Sequence, residues 1–518
     1  MKTDVQPTGA ESVPSVSDVP RPSRRTFVLL GALATALAPA RAAAQAIALP
    51  RRAKAPASLR SSLVLQREAP SAPAAWRDTT IRLVRRATYA ATPADIALAQ
   101  RMGYQGWLAR QLKYTQIRDD AVDSAIALQF PLLAQTGEQL YAAAAGTVQA
   151  QLQQSTIYRA AFSQRQLYER MVEFWSDHFN IDFDKVGYLK ALDDRDVIRK
   201  HALGKFGDLL KASAKSPAML AYLDQTASRA GRPNQNYARE VMELHTLGVN
   251  GGYTQEDVAE LSRVLTGWTI KGRGEFNFDP TGHDWGAKSV LGVSIPAGSA
   301  ALGADGVKEG ERILDVLIAH PSTAKFISTK MLRWLLTSEP TDSQVRTIAG
   351  IYRATGGDIA AMTRAILNDG WMGTAPARYK RPFHFLVSGV RALGATVTSA
   401  DPINRQLSAL GQPLFTWDTP DGFPDSVEYW AGNVTPRWAF ASTLSAYKSA
   451  QITVDAAPFM TGGADATIDA LTQRVFAGEI SASTRTALRA YLVAGAFTET
   501  RVRETISLAI ASTDFQWY

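Results

Sequence analysis

From Thr79 onward, apolar side chains recur at intervals of three and four residues, and no other feature constrains the fold of this chain as much. Between Tyr141 and Phe179 the period predicts one or two long helices, with Leu167, Met171, Phe174 and His178 along one face. Thr79 to Arg86 opens a helix, and Thr92-Pro93-Ala94-Asp95 reads as an N-cap with proline at the first helical position. Further helices fit 195–214, 216–228, 234–247, 254–266, 307–318, 320–338, 341–354 and 357–368. Strand signals are few. Glu275 to Asp279 and Ser289 to Val293 make the one plausible short pair, flanking a loop at His283. The expected fold class is all-α with a small β-hairpin excursion near 275–293. Residues 78–518 form the helical domain, with two lobes, 78–300 and 307–518, as the alternative organisation.

A different pattern precedes it. Ser23-Arg24-Arg25-Thr26-Phe27 runs into the apolar stretch Val28 to Ala38, too short to span a bilayer as a stable helix. Pro39-Ala40-Arg41-Ala42 offers an Ala-x-Ala cleavage site. Residues 1–42 therefore read as a twin-arginine signal peptide, with Arg24 and Arg25 as the signal and the twin-arginine translocase as export partner. Residues 43–77, rich in Ala, Pro and Arg, read as a linker. The expected location is the periplasm or the medium, after the signal peptide is cleaved. No later apolar run is long enough for a transmembrane span. The 518 residues include no cysteine, which excludes disulfides, thiolate metal sites and covalent haem attachment. Any metal needs His, Asp or Glu. The formal net charge of +8 is spread without a basic stripe, so no nucleic-acid partner is expected.

Four segments carry side chains capable of chemistry. In the first, Asn234 to Gly248, Glu240 and Glu243 stand at i, i+3 and aim at one point, as in helix-borne carboxylate metal sites. His245 falls about 200° round from Glu243 on a continuous helix and is not expected there. Arg239, at i, i+4 from Glu243, allows a plain ion pair instead. In the second, Glu173-Phe174-Trp175-Ser176-Asp177-His178, the histidine lies on an apolar stripe, either as a hydrogen-bonded core residue or as a ligand facing Glu240 and Glu243. The third is the loop holding His283-Asp284, a source of ligands or of an acid–base pair. Its stretch Gly282 to Ser289 imitates a phosphate-binding loop, but Ala287 stands at the second glycine and no long apolar strand precedes it. The fourth, Gly411 to Pro424 followed by Tyr429 and Trp430, is a rigid Pro/Gly-punctuated loop. Its aromatics Trp417, Phe423 and Trp430 either stack on a ligand or fold back as a lid. There is no G-x-S-x-G or H-E-x-x-H, and no G-x-G-x-x-G after a strand. His201, His320 and His384 receive no role.

Several phrases resemble one family: Arg85-Arg86-Ala87-Thr88-Tyr89, Phe174 to Phe179, Asn236 to Glu240 running into Glu243 to Gly248, Thr266-Gly267-Trp268, His283-Asp284, Gly411-Gln412-Pro413-Leu414 and Asp514-Phe515-Gln516. The chain is similar over roughly residues 80–518 to the bacterial domain of unknown function 1800 family. The resemblance implies export and, as partner, a second exported protein of alkaline-phosphatase type; it implies no activity. Two functions are expected on this basis. One is a metal-dependent hydrolase of the cell envelope, in which Glu240, Glu243 and His178, with His283 and Asp284, hold a divalent metal that activates water. The other is a non-catalytic binding or assembly protein, which engages the phosphatase-like partner or a surface polymer through the loop at Trp417, Phe423 and Trp430.

Overall fold

Asp78 begins the described helices: its carboxylate accepts from the Ile81 amide and starts α1 (Thr79–Ala87). The structure is a computed structural model, and it describes residues 76–518. The expected signal peptide 1–42, with Arg24 and Arg25, and all but the last two residues of the 43–77 linker lie outside the described residues. The described residues form 25 α-helices and a few short antiparallel strand pairs, a mainly all-α fold as the apolar period requires. Among them, no helix is long and apolar enough to cross a membrane.

The arginines of α1 explain why its polar-looking sequence is interior. Arg82, Arg85 and Arg86 are buried. Arg86 donates to the carbonyls of Leu335, Leu336 and Pro376, and Arg85 to that of Phe476. Most of those carbonyls lie at the C-terminal ends of helices Pro321–Leu335 and Gly463–Val475, which lack intrahelical donors. The five-donor guanidinium fork suits this task, as a lysine would not. Next, α2 (Pro93–Leu112) starts with a reciprocal capping box between Thr92 and Asp95, as expected. The predicted long helical run resolves into α3 (Ala145–Phe162) and α4 (Gln166–His178). Leu167, Met171, Phe174 and Trp175 of α4 are buried in the main core.

Helices α5 (Gln235–Glu243) and α6 (Gln255–Val264) follow, then two hairpins. The expected pairing of 275–279 with 289–293 is corrected here. Strand β1 (Trp268–Lys271) pairs with β2 (Glu275–Phe278), and β3 (Lys288–Val290) with β4 (Val293–Ile295). Each strand turns back on its sequence neighbour. In the second hairpin Leu291 (φ 50°) and Gly292 (φ 76°) supply the left-handed pair that a two-residue turn needs. Leucine gives no sequence signal for that turn.

Helices α7 (Val307–Ala319), α8 (Pro321–Leu335) and α9 (Pro382–Leu393) complete the frame of the site. The apolar core continues across the 300–307 junction between the two lobes considered above. Gly310 of α7 lies so close under the Trp268 indole that an added Cβ would sit 2.3 Å from it. Residues 516–518 run beside 378–380 through backbone bonds of 2.8–2.9 Å, which sets Tyr518 among buried arginines.

Candidate functional site

The residues singled out from sequence fall into four places rather than one. On α5, Asn234 caps the helix, and Tyr237, Ala238, Val241 and Met242 are buried, leaving Glu240 and Glu243 on a half-buried edge. Burial raises the Glu240 pKa, and the neighbouring Glu243 charge adds to the rise. The alternative Arg239–Glu243 pair does not form: Arg239 donates to Gln255 at 2.6 Å, and Glu243 accepts from the Tyr253 hydroxyl at 3.0 Å.

The helix ends at Glu243, short of the predicted 247. The amides of Leu244 and His245 both bond the Glu240 carbonyl, so the 100°-per-residue argument stops applying to His245. The turn carries His245 against His178, with ring centroids 6.3 Å apart, and His178 Nε2 lies 3.2 Å from the His245 carbonyl oxygen. Both rings are buried among Phe179, Phe206 and Phe326. Burial, with the nearby Lys330 charge, lowers the pKa of His178 and pulls that of His245 down to about 3. Both imidazoles are therefore neutral.

His283 and Asp284, adjacent in sequence, diverge. His283 Nδ1 contacts the Thr266 carbonyl at 2.7 Å and Nε2 contacts Glu309 at 3.2 Å. Asp284 takes both Arg263 contacts, at 2.8 and 3.2 Å, and these hydrogen bonds hold its carboxyl below the usual range. They tie the hairpins to α6 and α7. Among the described residues, no three His, Asp or Glu side chains form a group able to hold a metal. The set Glu240, Glu243, His178, His283 and Asp284 is thus not assembled as one ligand sphere.

The aromatic loop folds back as a lid. Trp430 is buried, and its indole donates to the Pro424 carbonyl, which removes it from the expected exposed binding face. Trp417 and Phe423 stay half-buried, 4.7 Å apart. Asn180, two residues beyond α4, donates to the carbonyls of Trp417 and Thr419, and the Phe423 amide bonds Asp177. Gly422 (φ 76°) lies where a Cβ would come within 2.2 Å of the Asp177 carbonyl oxygen.

Under this lid is a cleft that sequence reasoning did not single out. It has a volume of ≈ 550 Å³ counting its open mouth, and Tyr89, Glu173, Asp177, Asp194, Arg381 and Phe423 are among its walls. Glu169, Glu173 and Asp177 recur every fourth residue of α4, opposite the apolar stripe. That second stripe was the available signal. Asp194 sits on a π-helical turn, Asp194–Arg199, which brings residues five apart onto one side. Arg199 there bonds Asp194 at 2.8 Å and both oxygens of Glu169 at 3.0–3.1 Å. An i, i+5 pair has no signature under α-helical spacing.

Glu173 Oε2 accepts from Tyr89 at 2.9 Å and Arg170 at 3.1 Å. Burial raises its pKa against the pull of Arg170 and Arg381. Glu173 Oε1 and Asp194 Oδ1 are buried with no hydrogen-bond partner. The two side chains are 11 % and 4 % exposed, so these are unsatisfied acceptors in a cleft rather than surface oxygens. The arrangement can receive donors from a ligand.

A family model described as "Protein of unknown function (DUF1800)" matches residues 82–517. This chain belongs to the DUF1800 family. No curated protein and no solved structure matches it. In this DUF1800 chain, the phrases that carried the resemblance sit at joints. Arg85 and Arg86 cap helix ends, and Gln412 accepts from the Phe383 amide at the start of α9. Thr266 holds both His283 and Asp284. Asp177, in the phrase 174–179, faces the cleft, as does Glu173 just before it.

Proposed function

We propose that this DUF1800 protein is exported in folded form by the twin-arginine route, with Arg24 and Arg25 as the signal. In the envelope it binds a hydroxyl-rich unit of a surface polymer, a saccharide, in the cleft between α4 and the 412–423 loop. One observation carries the reading: two buried carboxylate oxygens, Glu173 Oε1 and Asp194 Oδ1, lack donors in a cleft also walled by Phe415 and Phe423. Sugar hydroxyls satisfy such acceptors, and the CH face of the ring packs on aromatic side chains. The role is one of capture, because guanidinium groups already hold the other cleft carboxylates and bonds from Asn180 and Asp177 hold the lid. The test is calorimetric titration of the purified chain with soluble fragments of envelope polysaccharides. Glu173→Gln and Asp194→Asn are each expected to weaken binding roughly tenfold, the loss of about one charge-assisted hydrogen bond. Absence of binding to any saccharide, or binding indifferent to both substitutions, overturns the reading. Co-purification of a phosphatase-like exported partner is the companion measurement.

The hydrolase reading keeps one observation in its favour, the mutual charge of Glu240 and Glu243 on a half-buried edge. A stoichiometric metal in protein from the exporting host, lost in the Glu240→Ala, Glu243→Ala double variant, would establish it in place of capture.

A further inference from the structure

Glu173 and Arg381 also border a second, narrow pocket of ≈ 200 Å³ counting its open mouth, whose other walls include Arg170, Arg378, His384 and Tyr518. Its donors are only partly used. Arg170 bonds Glu173 and the Tyr518 hydroxyl, and Arg381 bonds Asp177 at 2.7 Å. Arg378 gives one nitrogen, Nη2, to both oxygens of Asp425. Its Nε and Nη1 remain buried without a hydrogen bond of ordinary geometry, the Tyr518 hydroxyl being the acceptor beside them, on a side chain only 9 % exposed. Both ring nitrogens of the buried His384 also lack a hydrogen bond of ordinary geometry, and its ring packs on Tyr518 at 4.0 Å.

Positive groups crowd the same place. The guanidiniums of Arg170, Arg378 and Arg381 are matched by Glu173, Asp425 and Asp177, but Arg86 stands over the Tyr518 ring at 5.4 Å with only carbonyl acceptors. Arg86 and Lys380 add to the positive field that reaches Tyr518 and His384. The field registers on the neighbours. Burial pushes the Tyr518 phenol up, yet Arg170, Arg378 and Arg86 together bring it below its ordinary value. Burial and then Arg170, Lys380 and Arg86 lower His384, so it enters the site as a neutral donor. A water molecule would satisfy the free N–H groups and leave the charge. An anion satisfies the N–H groups and suits the positive surroundings, and the narrow space admits only a small one.

We propose that this cavity is a binding site for one small monovalent anion, chloride, held by the free N–H groups of Arg378 with Tyr518 and His384 beside it. The assignment is independent of saccharide capture in the neighbouring cleft. The test compares thermal unfolding of the full chain in sodium chloride, sodium bromide and sodium gluconate at equal ionic strength. A saturating rise in Tm is expected with either halide over gluconate, because the ligand binds only the folded state. Arg378→Met should abolish the rise, while Arg346→Met, at an exposed position, should leave it intact. Should Arg378→Met fail to fold, anomalous scattering from bromide-soaked wild-type crystals decides: a bromide peak in contact with Arg378 is expected. A halide effect that persists in folded Arg378→Met, equal Tm in all three salts, or a cavity without a bromide peak overturns the assignment.

Discussion

The Tyr89 hydroxyl donates to Glu173 across 2.9 Å, and Arg170 reaches the same oxygen at 3.1 Å, so one carboxylate oxygen is doubly held while the other is bare. Burial outweighs Arg170 and keeps the carboxyl pKa above its ordinary value. The folded state therefore binds the Glu173 proton more tightly than the unfolded chain does. The stabilisation from this group is complete below the ordinary glutamate pKa. It is lost as pH rises through the raised one, with a slope of at most ~1.4 kcal/mol per pH unit. Glu173→Gln should flatten this component of stability as pH rises above the ordinary glutamate range in urea unfolding. An unchanged pH profile in the variant would show that the carboxyl is not perturbed.

His245 should act with the opposite sign. Its folded pKa, about 3, lies far below the ordinary 6.5. The stability it contributes is present above about pH 6.5 and drains away as pH falls toward 3, again no more steeply than ~1.4 kcal/mol for each tenfold rise in proton activity. His245→Phe, which keeps a flat ring in the same pit, is expected to make the chain more acid-resistant by that slope. Circular dichroism along an acid titration reads it; coincident curves for the two proteins would refute it.

Gly422→Ala tests the lid. The added methyl meets the Asp177 carbonyl oxygen, and the φ of 76° disfavours any side chain. A loss of ~1–3 kcal/mol is expected, with stronger acrylamide quenching of tryptophan as Trp417 comes away from Phe423. Wild-type quenching in the variant would mean that the loop is not held through this contact.

Arg86→Met should cost more than any surface change. It strips donors from the Leu335 and Leu336 carbonyls at the end of α8 and from that of Pro376, for a loss of about 3 kcal/mol or more. Arg118→Met breaks an exposed pair with Asp120 and should stay within ~0.5 kcal/mol. Equal Tm changes for the two would contradict the capping role.

Much of this was readable in advance. The stripe Leu167, Met171, Phe174 is a core face of α4, and Thr92 caps α2, because a helix period and a cap depend only on neighbours in sequence. His178 read either as a core histidine or as a ligand, and its ring is buried in the core. The site was less legible. His178 lies on the apolar face of α4, whereas the polar stripe Glu169, Glu173, Asp177 borders the cleft. Trp430 belonged to an aromatic loop, but nothing local distinguishes a ring that stacks on a ligand from one that seals a lid.

Local sequence thus determined that the chain is helical, where a number of its helices begin, and which side chains share a face, since these follow from backbone period and capping. Only the tertiary structure decided that α5 stops at Glu243 and turns His245 onto His178, that a π-helical turn points Asp194 at α4, and that Glu173 is left with a bare oxygen. Which face meets which, and which charged group is denied water, depends on residues hundreds of positions away, and desolvation, the force that sets their chemistry, acts only once those faces have closed.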